Sequence, residues 1–111
     1  MNQSFLPEEF IVAMAEVIKL IGHPQRLRII EYLDLHGESA VSDIVAGVGG
    51  QQGAVSQHLN KMRQAKIIAC RRDGRQMLYR IAAENALTIL NCMRRSHQGG
   101  GCQSGPPAAR Q

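Results

Sequence analysis

The sequence contains no tryptophan, two tyrosines and two phenylalanines, so a hydrophobic core must be built from Ile, Leu, Val, Met and Ala. Cysteine is sparse as well. Cys70, Cys92 and Cys102 are odd in number and lack paired spacing, which argues against a disulfide-stapled secreted scaffold. No run approaches the roughly 20 apolar residues of a membrane-spanning helix, so no membrane partner is expected. The N-terminus has no basic stretch, and Glu8, Glu9, Glu16 and Lys19 interrupt its apolar residues. No secretory signal is read there, and the expected location is the cytoplasm. Positive charge is scarce before Asn60, where Lys19, Arg26 and Arg28 stand against Glu8, Glu9, Glu16, Glu31, Asp34, Glu38 and Asp43.

The cations come later. From Lys61 to Arg80 the chain carries Lys61, Arg63, Lys66, Arg71, Arg72, Arg75 and Arg80, with Asp73 as the one acid. Such a patch is the usual electrostatic footprint of phosphate binding. A solvated face is the ordinary reading of a charge run, but this run coincides with a pattern fit for a groove. At 111 residues the chain should form one domain, small enough for a partner subunit to help bury its surface.

Pro7-Glu8-Glu9 marks a helix start, followed by Phe10, Ala13, Met14, Val17, Leu20 and Ile21 at three-and-four spacing. Gly22 ends that helix. Pro24 opens a second, with Leu27, Ile30 and Leu33 as its stripe and Gly37 as its cap. A third begins near Ala40, where Val41, Ile44, Val45 and Val48 form one apolar face and Gly47 weakens the helix slightly. After Gly49-Gly50 a fourth runs from about Gln51 to Ala65. Val55, Leu59 and Met62 form its inner seam, while Gly53, Gln57, Asn60, Lys61 and Gln64 point the other way. His58 flanks the seam, which suits half-buried packing and hydrogen bonding better than base reading. Strands over residues 67–72 and 76–81 flank a turn at Asp73-Gly74-Arg75. A last helix spans roughly Ala83 to Arg95, with Ala86, Leu87, Leu90 and Met93 on one side. Residues 1–97 are thus expected to be the domain, and 98–111 a flexible Gly/Pro-rich tail. The fold expected is mainly α with a small β-hairpin.

Three pieces of the chain resemble the ArsR/SmtB (arsenic-repressor) family of winged helix-turn-helix transcription regulators. They are GHPQRLRIIEYL in the second helix, AVSDIVAGVG with AVSQHLNKMRQAKII in the helix-turn-helix, and CRRDGRQMLYRI in the wing. Together they cover about residues 10–95 in the right order and spacing, and the ordered set is far more specific than any one piece. The resemblance implies a homodimer through the first and last helices, with two recognition helices in successive major grooves of a near-palindromic double-stranded operator. Ile11, Val12 and Ile18 lie outside the main stripe of the first helix, and a monomer would leave some of them wet.

Gln57 is the foremost candidate for base contact, since a Gln amide can pair with adenine. Gln52, Gly53 and Ser56 lie near the helix N-terminus, where side chains and backbone N–H groups meet phosphates or base edges. Asn60 shares the outer face, Lys61 suits a phosphate, and Arg71, Arg72 and Arg75 lie at the wing. Gly50 and Gln51 replace the apolar residue and Ser cap more usual in the family.

Effector sites of the family can be compared position by position. Where the metalloid type has a cysteine cluster, this chain has Ala40, Val41, Ser42 and Asp43. The zinc type has Asp, His and Glu along the last helix; Glu84, Asn85, Cys92 and His97 lack that periodicity. Glu31 and Gln98 occupy the cysteine positions of the sulfide-responsive type. What remains is Cys92, His97 and Cys102, spaced C-x4-H-x4-C. Cys92 and Cys102 could act as a thiol switch, or with His97 as a metal or metalloid site; they could equally be a packed residue and an idle thiol. An effector-independent regulator is the remaining alternative. No convergent acid, base and nucleophile set is present, so no enzyme and no firm cofactor are expected.

Overall fold

In a computed structural model the described residues are 5–99. They form α1 (Glu8–Ile21), α2 (Pro24–His36), β1 (Ser39–Ala40), α3 (Val41–Val48), α4 (Gln52–Gln64), β2 (Ile68–Asp73), β3 (Gln76–Ile81) and α5 (Glu84–His97). The order is that of a winged helix-turn-helix, with five helices and a small antiparallel sheet ordered β1-β3-β2.

Several helix boundaries have a local cause. Pro24 occupies the first turn of α2, and His23 caps it by accepting the Gln25 N–H at Nδ1, 3.2 Å. Gly37 closes α2 with φ 77°, and its N–H reaches the Leu33 carbonyl at 2.8 Å. Between α3 and α4, Gly49 adopts φ 71°, the left-handed turn that glycine takes without a Cβ clash. α4 ends in a Schellman motif: the Ile67 N–H bonds Met62 and the Lys66 N–H bonds Arg63, both at 2.9 Å.

The core runs through every helix. Ile21, Ile29, Ile30, Leu33, Ile44, Val55, Leu59, Met62, Ile67, Ile68, Tyr79, Ala86 and Leu90 are buried together. The seam expected for α4 is its buried side. In α1 the expected stripe is only partly covered. Ile21 is buried and Met14, Val17 and Leu20 are half-buried, but Phe10 and Ala13 are exposed. Burial rises toward the C-terminal end of α1, and in its first half only Met14 is half-buried among the described residues.

Two features depart from the sequence-based expectation. β1 pairs Ser39 with Tyr79 and Ala40 with Leu78, making the hairpin a three-stranded sheet. The wing tip is a two-residue loop, Gly74-Arg75, because Asp73 still pairs with Gln76. Gly74 has φ 65° while Arg75 does not have a positive φ, the signs of a type II′ hairpin turn. Gly47 is also explained: a Cβ there would overlap the Tyr32 ring, so the close approach of α2 and α3 requires its absence.

Candidate nucleic-acid interface

α4 presents its polar residues outward. Gln52, Gly53, Gln57, Asn60, Lys61 and Gln64 are exposed, Ser56 and His58 are half-buried, and Val55, Leu59 and Met62 are sealed beneath. The separation is strict because α4 rests on α2, α3 and β2 along one side only. Gln51 occupies the N-cap without a side-chain bond. The first N–H groups of α4 therefore point outward without a side-chain acceptor at the cap, at the positive end of the helix dipole. An anion fits that position.

The cations divide into paired and unpaired sets. Lys61, Arg63, Lys66, Arg72 and Arg75 are exposed and join no ion pair among the described residues. Arg71 is different. Its Nε and Nη2 donate to both carboxylate oxygens of Glu38 at 2.9 and 2.8 Å, a bidentate fork. Arg80 lies 4.0 Å from the same carboxylate. The register puts Ala69 opposite Arg80 and Arg71 opposite Leu78, so the two arginines share the sheet face away from the core, and the single charge of Glu38 balances Arg71 with Arg80 close by. The hydrogen bond from Arg71 holds the Glu38 carboxyl below the usual range, and the Arg71 and Arg80 charges add to that. Arg71, expected at DNA, is thus engaged within the protein.

The residues weighed for effector binding are less assembled. Cys92 is a free, exposed thiol on α5 and His97 ends that helix; Cys102 lies outside the described residues. Among the described residues no group of three or more His, Cys, Asp and Glu side chains is placed to hold a metal ion. Cys70 lies on the core-facing side of β2, half-buried opposite Tyr79. Among the described residues, no helix is long and apolar enough to cross a membrane.

Sequence reasoning gave Arg26 no role. It is half-buried at the start of α2, donating from Nη1 to the Leu20 carbonyl at 2.8 Å and from Nε to His58 Nδ1 at 3.1 Å. Gln25, beside it, packs its amide against Gly50 in the turn, where a Cβ would come within 2.9 Å of Nε2. The Gly50 that departs from the family pattern thereby makes room for Gln25. No periodicity marks such contacts; Arg26 and His58 lie 32 residues apart.

A polar-faced second helix, a glycine turn and a cationic wing define the winged helix-turn-helix class of nucleic-acid-binding proteins. Residues 23–69 match the family model described as bacterial regulatory protein, arsR family. An uncharacterized HTH-type transcriptional regulator of Mycobacterium tuberculosis is 37% identical over 81 residues, covering 73% of this chain and 71% of that protein. The transcriptional repressor PagR of Bacillus anthracis is 36% identical over 80 residues, 69% of this chain and 80% of its own. The crystal structure of PagR superposes with a TM-score of 0.69 at 32% identity, covering 78% and 99% of the two chains. That of the AntR antimony-specific repressor gives 0.77 at 24% identity, covering 88% and 91%, a likeness of fold. The chain belongs to the arsR family of bacterial regulatory proteins.

Proposed function

We propose that this chain is a homodimeric, sequence-specific DNA-binding repressor of transcription, acting in the cytoplasm without catalysis and released from a near-palindromic operator by a small inducer. The observation that carries this reading is the α4 surface, where exposed amides and Lys61 lie over a sealed apolar seam. In the proposed complex Gln57 reads a base edge, an adenine by preference. Gln52, Gly53, Ser56 and Asn60 meet phosphates or neighbouring base edges, Lys61 meets phosphate, and Arg72 and Arg75 grip the flanking backbone. Arg71 reaches DNA by exchanging the Glu38 carboxylate for a phosphate.

Dimerisation through α1 and α5 is supported by what α1 leaves uncovered. Ile11, Val12 and Ile18 are 45%, 50% and 52% exposed, and apolar side chains left uncovered on one helix suit an interface. For release, the accessible Cys92 thiol supports oxidation with Cys102 to a disulfide, the oxidant (a polysulfide, for example) accepting two electrons.

Fluorescence anisotropy on the duplex upstream of its own gene tests the reading. Specific binding at physiological salt, about a thousandfold or more tighter than to a scrambled duplex, is expected. Equal affinity for both duplexes refutes it. Polysulfide should release the wild type and leave Cys92→Ser bound; equal release of both removes the thiol from the mechanism.

A further inference from the structure

Arg26 links the end of the helix proposed to carry the dimer with the middle of the helix proposed to read DNA. Leu20 is among the last four residues of α1, whose carbonyls have no partner within the helix. Arg26 Nη1 satisfies that carbonyl at 2.8 Å while Nε donates to His58 Nδ1 at 3.1 Å. The His58 ring stands 4.6 Å from the His23 ring, tilted by 59°. His23 itself caps α2 by accepting the Gln25 N–H at Nδ1. Three helices therefore meet at one guanidinium and two imidazoles.

The geometry demands a particular protonation state. Both imidazoles accept at Nδ1, so in each that nitrogen must carry a lone pair rather than a proton. A proton on His58 Nδ1 would face the Arg26 Nε–H, donor against donor, and would add a second cation beside the Arg26 guanidinium. Burial already lowers the His58 pKa below its ordinary 6.5, and the His23 and Arg26 charges lower it further. The titratable His23 and the charged Arg26, both at the start of α2, are the groups that act on it.

We propose that Arg26 and His58 form a proton-sensitive joint that sets the angle of α4 relative to α1, and so the spacing at which two copies meet DNA. With His58 neutral the recognition helix is held; with His58 protonated it is released, and binding DNA then requires that proton to leave. The joint rests on the DNA-reading function proposed above.

Operator affinity of the full chain, followed from about pH 8 to about pH 5 across the histidine range, tests it against His58→Asn. The Asn amide oxygen stands where Nδ1 stood, accepting without titrating. Wild-type affinity is expected to fall by about tenfold toward the acid end, one proton's linkage over about one pH unit. The Asn variant should lack that fall. The direction is diagnostic, because added positive charge at a phosphate surface would tighten binding on acidification. Arg26→Lys keeps the charge but loses the fork, and should bind weakly with a flat profile. An NMR titration of the His58 imidazole needs no substitution: operator binding must lower its midpoint.

Matching pH profiles in wild type and His58→Asn, or an imidazole midpoint that DNA leaves unmoved, overturn the joint. A wild type that binds operator and scrambled duplex alike at pH 8 overturns the DNA-reading proposal instead.

Discussion

At Lys66 the backbone turns left-handed, with φ 65°, at the one non-glycine residue among those described with positive φ. A side chain there costs about 1–2 kcal/mol relative to a relaxed backbone, less the entropy a glycine loses on folding. Lys66→Gly should therefore raise stability by up to about 1 kcal/mol, read as a higher melting temperature; a lower one would show that Lys66 makes compensating contacts. Gln57 poses the opposite kind of test. It is exposed on the outer face of α4, so Gln57→Ala should leave melting unchanged while reducing discrimination between operator and random duplex by about 1–3 kcal/mol. Competition binding against scrambled DNA measures that difference, and an unaltered ratio would remove Gln57 from base reading. His58 was legible from its helical angle as a flanking, half-buried residue, and it is half-buried. Its partner Arg26 was not, because charge in the first turn of a helix looks the same whether it faces solvent or another helix.

Among the elements, the wing separates two kinds of arginine. Arg75 sits in the tip turn without an ion pair among the described residues, whereas Arg71 is forked onto Glu38. Arg75→Ala should weaken all duplexes alike and lower the slope of log affinity against log salt by about one unit. Arg71→Ala should change the slope less, since its charge is already balanced. Salt titrations of the two variants on one operator give the comparison, and a larger change for Arg71 would contradict it. The helix-turn-helix was readable because glycine turns and three-and-four spacing are local signals: α4 was expected over about 51–65 and spans Gln52–Gln64. β1 was not readable. Two residues, Ser39 and Ala40, cannot show an alternation, and their extended state is imposed by Tyr79 and Leu78 across the ladder. The coverage of α1 was not readable for a related reason: periodicity reports an apolar face without saying which chain covers it, and Phe10 and Ala13 of that stripe are exposed.

For the molecule as a whole, charge and apolar surface are segregated. Acids dominate the chain before Asn60 and cations the stretch after it; in the proposed complex the cationic stretch faces the polyanion and α1 faces the second copy. Ile11 and Ile18 lie seven residues apart, on the same side of α1. Replacing both by Glu should convert the proposed dimer to a monomer in sedimentation and abolish operator binding, with helical circular dichroism retained; a dimer that survives would place the interface elsewhere. The short strand β1 carries a mechanical consequence. Ala40 is at once its last residue and the N-cap of α3, with no slack between them. Any rotation of the hairpin about its long axis is thus passed to α3 as by a crank, and a duplex that deflects the wing must also reorient the first helix of the reading motif.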